Sequence, residues 1–116
     1  LMQYHKDMNH VDDPAVHPVM IGLDEKFRRQ AEYLKVLAHP IRLAIIDALK
    51  DGTCCVNDVS ELLHVSQPNI SQHLAILRSQ RIVDYTEDGK RRCYFLCNPE
   101  IIIPLLSVLS QEAAPS

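Results

Sequence analysis

The stretch that decides the fold is "SQPNISQHLAILRSQ", residues 66–80. Ile70, Leu74 and Leu77 recur at i, i+4 and i+7, the spacing of one apolar stripe on a helix. Gln67, Asn69, Ser71, Gln72 and His73 fill the other side with amides, hydroxyls and a ring nitrogen. A solvated helix face ordinarily carries Lys and Glu. This one carries neither, and residues 66–83 contain no acid at all. A helix that meets base edges in a DNA major groove needs such uncharged donors and acceptors, because Asn and Gln pair with adenine and Ser serves in either sense.

The flanks fit that reading. Upstream, Asn57 is a plausible N-cap for a short helix "DVSELLH", and Val65 and Ser66 make a tight turn. Ser66 then caps the next helix, and Pro68 sits in its first turn, where a missing N–H does no harm. Two short helices joined by a tight turn form a helix-turn-helix. Downstream, "RIVDYTEDGKRRCYFLC" alternates as strand, turn, strand around an Asp-Gly hairpin signal. Its tip, "DGKRR", holds three consecutive cations, and a wing of this kind lies along the backbone, supplying affinity without sequence information. A polar helix alone is usually a solvated face, and a charged hairpin tip alone is usually just soluble. The two in this order and at this spacing point to DNA.

Further out, residues 1–22 lack periodicity and carry two prolines and a glycine, so they are expected to form an arm with a mobile tip. Asp24 is expected to cap a helix through Ala38, with Phe27, Ala31, Leu34 and Leu37 as its stripe. "HPIRLAIIDALKDG" predicts a helix with His39 at its start, Pro40 in its first turn and Gly52 as its stop. Its apolar residues cover most of the circumference, so it should be central. A short extended piece, Thr53–Val56, follows it. After the hairpin, "EIIIPLLSVLSQ" is a helix apolar on nearly all sides. In so small a chain it needs a second surface, most simply another copy of the protein. The expected architecture is mainly α with a small β-hairpin wing: a winged helix-turn-helix over residues 23–112, homodimeric through its first and last helices.

Composition limits the field of functions. At 116 residues the chain suits one domain with a single modest core. The run "IIIPLLSVL" is about half of what a bilayer requires and contains Pro104, so no membrane span is expected. Lys6 is followed by polar residues, so no signal peptide is expected either. Four cysteines, Cys54, Cys55, Cys93 and Cys97, are too few and too oddly spaced for a secreted disulfide scaffold. They imply free thiols in a reducing cytoplasm. The net charge of −3 is uneven: residues 1–25 hold one lysine against five carboxylates, which leaves the rest of the chain at +1. Residues 66–92 hold five cations against three acids. The local excess is small but lies where a polyanion would dock.

Three stretches, "LKVLAHPIRLAIIDAL", "VSELLHVSQPNISQHLAILRSQRIV" and "DGKRRCYFL", resemble the ArsR/SmtB family of small homodimeric winged-helix repressors over roughly residues 31–110. The middle stretch is the most specific. The resemblance implies a dimer bound to a palindromic operator in double-stranded DNA and released when a metal ion, metalloid or oxidant acts on it. It implies that Ser66, Gln67, Asn69, Ser71, Gln72 and His73 face DNA and that Lys90 and Arg91 face the backbone. His73 alternatively shields the core edge beside Leu74, and His64 is a turn residue where the family often has glycine.

The sensor is less legible. The family's thiol site usually reads Glu-Leu-Cys-Val-Cys-Asp-Leu; here Cys55 matches the first cysteine, Asn57 replaces the second and Cys54 sits on the leucine. No His follows His73, and Glu100 with Glu112 alone does not make the family's zinc site on the last helix. On a regular strand Cys93 and Cys97 lie about 13 Å apart, too far to share a bond or a metal. Cys54 and Cys55, as neighbours in extended chain, point to opposite sides. In a winged helix the short strand before the third helix pairs with the second wing strand, so one of Cys54 or Cys55 is expected to meet one of Cys93 or Cys97. A two-thiol pair suits a disulfide or polysulfide switch. A soft metal or metalloid inducer would have to complete its shell elsewhere, with Cys55, Cys97, His5, His10 and His17 as candidate ligands, and no cofactor is required for the fold. Small buried cysteines are also ordinary core residues. A thiol oxidoreductase is disfavoured because no C-x-x-C opens a helix and no nucleophile, base and orienter converge. Two further functions fit the same residues: a dimeric protein-interaction module of this fold that does not bind DNA, and a repressor with a histidine-assisted metal site.

Overall fold

The backbone of residues 18–113 and the side chains of residues 24–110 are described by a computed structural model. The order is α1 (Pro18–Leu37), α2 (Pro40–Leu49), β1 (Cys54–Cys55), α3 (Val56–Leu63), α4 (Gln67–Ser79), β2 (Val83–Asp88), β3 (Arg91–Leu96) and α5 (Pro99–Ala113). The chain divides into two compact units, one ending at Tyr33 and one beginning at Leu34. The winged helix-turn-helix belongs to the second.

Helix α1 starts earlier than the sequence implies. Pro18 is its first residue, where the fixed φ of proline is already helical and its absent N–H is not missed. Gly22 is carried inside at a cost of about 1 kcal/mol against alanine. Asp24 is therefore not the cap. It lies within the helix and pairs with Arg28 on an exposed face. Of the arm expected over residues 1–22, residues 18–22 are instead the first turn of this helix, and residues 1–17, with His5, His10 and His17, lie outside the described residues.

Helix α2 is central, with Ile45, Ile46 and Leu49 at most 2% exposed. His39 does open it: its Nδ1 accepts from the Ile41 N–H at 3.1 Å, an N-cap made by an imidazole. Helix α3 begins at Val56 directly after β1, with Cys55 in the capping position and no side-chain cap bond. Asn57 is thus inside the helix and not its cap, because the strand hands over to the helix without an intervening turn. His64 ends α3 at φ 58°, and the Val65 N–H returns to the Ser60 carbonyl at 3.2 Å. Ser66 caps α4 as expected, its side chain accepting from the Asn69 N–H at 3.4 Å.

Helix α4 buries the predicted stripe completely, Ile70, Leu74 and Leu77 each being 0% exposed. It closes on a Schellman motif: Arg81 takes φ 57°, its N–H bonds the Arg78 carbonyl, and the Ile82 N–H bonds that of Leu77. Ile82 and Leu77 are both buried, the apolar contact that accompanies this cap.

The three strands form one antiparallel sheet in the order β1-β3-β2. The hairpin register ends at Asp88 opposite Arg91, so the loop is Gly89-Lys90. Gly89 alone of the pair has positive φ, at 66°, which is the type II′ pattern with glycine first. The Asp-Gly signal marks the turn, but Asp88 is the last paired residue rather than a loop residue. Cys97 lies one residue past β3, where its N–H bonds the Ile82 carbonyl at 3.0 Å.

Helix α5 buries Ile102 at 2% exposure while Ile101, Val108 and Leu109 remain 57–59% exposed. Beside it, Leu43 and Ile46 of α2 and Ile103 and Leu106 of α5 line an apolar groove of about 570 Å³. Among the described residues no helix is long and apolar enough to cross a membrane.

Candidate nucleic-acid interface

The face of α4 opposite its buried stripe is a row of short polar side chains. Ser66, Gln67, Asn69, Ser71 and Gln72 are all exposed. The three core residues fix the rotation of the helix about its own axis, because turning it would expose three fully buried aliphatic side chains, each stabilising by about 1.5–3 kcal/mol. What the polar row presents is therefore set by the core.

Two contacts hold the row in place that sequence reading missed. The Gln67 amide Nε2 donates to Asn57 Oδ1 at 2.7 Å, tying the start of α4 to the start of α3. Arg42 of α2 donates from Nε to the Val36 carbonyl and from Nη1 to His73 Nδ1 at 3.2 Å. The His73 ring also sits 4.5 Å from the ring of His39. His73 is half-buried, and a guanidinium on Nδ1 leaves that nitrogen as acceptor and puts the ring proton on Nε2. Burial first, then the neighbouring His39 and Arg42, push its pKa below the usual histidine value. His73 is thus part of the joint between α2 and α4, a place shared between core edge and outer face. The available signal was that Arg42 is the single cation in Pro40–Leu49.

The wing base is braced by stacked charge. The Tyr85 ring has the Arg78 guanidinium 4.7 Å from its centroid and that of Arg92 at 4.4 Å, and the Tyr94 ring lies 5.2 Å away. Arg78 also donates to Asp84 at 2.9 Å, and that bond holds the Asp84 carboxyl below its ordinary pKa. Lys90 is exposed at the tip. Arg91 is exposed as well, but its Nη2 donates to Cys55 Sγ at 2.9 Å, so the guanidinium is anchored at the sheet rather than free at the tip.

The thiols are sorted by register. Cys55 stands opposite Cys93 across the β1–β3 pair, and Cys54 stands opposite Tyr94. Cys55 is buried and Cys93 half-buried, and all four thiols are free. Cys54 faces away toward the Ala48 carbonyl at 3.8 Å, and burial raises its pKa. Burial also raises that of Cys97, which lies beyond the strand near Arg81 and Asp84. The structure therefore brings together Cys55, Cys93 and Arg91 and leaves Cys54 and Cys97 outside that group. Among the described residues no three His, Cys, Asp or Glu side chains converge in a way that would hold a metal ion.

Comparison with known proteins gives a consistent result. A family model described as bacterial regulatory protein, arsR family, matches residues 39–85, which span α2 to the start of β2. A Synechocystis protein, "Transcriptional repressor SmtB homolog", is 33% identical over 106 residues, covering 84% of this chain and 80% of that one. Among solved structures, NolR from Sinorhizobium fredii superposes with a TM-score of 0.74 at 27% identity, over 87% of this chain and all of that one. Reduced HlyU from Vibrio cholerae gives 0.67 at 30% identity, over 76% and 95%.

Proposed function

This chain belongs to the arsR family of bacterial regulatory proteins, and from that membership we propose that it is a dimeric repressor that reads a palindromic operator with α4 and leaves it when cysteine thiols are modified. The observation that carries the reading is the exposed, acid-free row Gln67, Asn69, Ser71 and Gln72, held in register by fully buried Ile70, Leu74 and Leu77. The amides supply direct base readout, while Lys90 and Arg91 supply phosphate contacts.

Dimerisation is supported by the exposed apolar residues of α5, Ile101, Leu105, Val108 and Leu109, which a monomer would leave in water. Two copies related by a two-fold axis would set their α4 helices about 34 Å apart, one turn of DNA, and would therefore read an inverted repeat. Such a protein works where the DNA is, in the cytoplasm. Thiol sensing is supported by the two opposed cysteines next to a wing cation. The histidines of the alternative metal site fall outside the described residues, and no observation favours that reading.

The test is binding to a labelled mixed-sequence duplex over a range of salt. With Lys90 and Arg91 from two protomers engaging four phosphates, log K should fall against log salt with a slope of about −3.6. Absence of binding at low salt would instead identify an interaction module that has kept the fold without the DNA.

A further inference from the structure

Cys55 and Cys93 are directly opposed in an antiparallel pair, so their side chains leave the same face of the sheet. Opposed residues in such a ladder have Cα atoms roughly 4.5–5.5 Å apart, inside the 4.4–6.8 Å range that a disulfide spans. No other pair of the four thiols meets both conditions. Cys54 is opposite Tyr94, and Cys97 is past the end of β3. On the same face, Arg91 precedes Cys93 by two residues and reaches diagonally across to donate its Nη2 to the Cys55 sulfur. A guanidinium has five N–H donors in a fixed plane, so one bond to sulfur sets its orientation and leaves the others for phosphate.

Resting on the repressor reading above, we infer that Cys55 and Cys93 form a cross-strand dithiol that a low-molecular-weight disulfide closes, and that Arg91 carries its state to the DNA. The chemistry is two thiol–disulfide exchanges. Cys93, the more exposed, attacks the small disulfide as its thiolate, forming a mixed disulfide and expelling one small thiolate. Cys55 then attacks the Cys93 sulfur as its thiolate and expels the second. Two protein thiols lose two protons and two electrons, and one small disulfide becomes two small thiols. In the product, the Cys55 sulfur is bonded to Cys93 and drawn toward it, out of line with the Arg91 N–H it had accepted from. The guanidinium is released into solvent, and its phosphate contact must then be made from a disordered side chain. Arg91 acts here as a positioning link between sheet and wing as well as a backbone contact.

The experiment treats the full-length protein with glutathione disulfide and maps its peptides without reduction, while duplex binding is measured against salt for both redox forms. The expected result is a Cys55–Cys93 linked peptide and a salt slope shallower by about two in the oxidised dimer, one phosphate per protomer. Reduced Arg91→Ala should already show that shallow slope and should change no further on oxidation. Cys93→Ser, which lacks the more exposed attacking thiol, should give no linked peptide, should leave the buried Cys55 a thiol and should keep the reduced slope after glutathione disulfide. The inference is overturned if Cys55 and Cys93 persist as thiols or separate mixed disulfides. It is equally overturned if the bond forms and the wild-type slope stays put, or if Arg91→Ala leaves the slope of the reduced protein unchanged. A reduced protein that binds no duplex would sink the repressor reading and the role of Arg91 with it, while the peptide map would still decide the dithiol.

Discussion

Replacing Val108 by Asp isolates dimerisation from folding. Val108 is 57% exposed on α5, so the protomer does not depend on it for its core. Burying a whole valine stabilises by about 1.5–3 kcal/mol, so covering the open part of this one contributes about 1–1.5 kcal/mol per protomer. A two-fold interface counts that twice, and an uncompensated carboxylate buried in each copy adds a desolvation penalty of several kcal/mol per ion. The sum exceeds about 5 kcal/mol, which raises the dimer Kd by more than a thousandfold. Sedimentation equilibrium at low micromolar protein should show the wild type as a dimer and Val108→Asp as a monomer with an unchanged far-ultraviolet circular dichroism spectrum. Its affinity for a full inverted repeat should drop to that for a single half-site. A Val108→Asp protein that sediments as a dimer would refute the assignment of α5 to the interface.

Two further outcomes follow from the joint and the cap. His73 has a folded-state pKa below its unfolded value, so the folded state binds fewer protons. Its contribution is complete above about pH 6.5–7 and is lost as pH falls through the folded pKa. Thermal unfolding from pH 7.5 to 5 should therefore fall more steeply in wild type than in His73→Gln; parallel curves would contradict the buried joint with Arg42. His64 is held at φ 58°, a conformation that costs a residue with a β-carbon about 1–2 kcal/mol, partly offset by the chain entropy of glycine, so His64→Gly should gain about 0.5–1 kcal/mol in urea denaturation. A loss of stability would mean that the His64 side chain makes a contact outweighing its strain.

The helix-turn-helix and wing were legible because their signals are local. Ile70, Leu74 and Leu77 lie within three turns of one helix, and Ser66, Pro68 and Gly89 act on their own backbone. What was not legible depended on distance or on competing local signals. Pro18 and Gly22 look like breakers, but proline at a first helical position favours the helix. Asn57 is a good cap by chemistry, yet β1 ends at Cys55 and α3 starts one residue before Asn57. The sequence narrowed the thiol pair to four combinations and no further, because a slip of one residue in register would exchange Cys55 for Cys54 on that face. The Arg42–His73 contact joins residues 31 apart in sequence, and no periodicity predicts it.

The central claim is that the amide row of α4 reads bases while the wing reads only charge. Its most direct measurement is selection of bound duplexes from a random pool by wild type and by a variant carrying both Asn69→Ala and Gln72→Ala. The wild type should recover an inverted repeat with half-sites centred about 10 base pairs apart, and the variant should bind with that preference flattened. An unchanged consensus from the variant, or no consensus from the wild type, would contradict it.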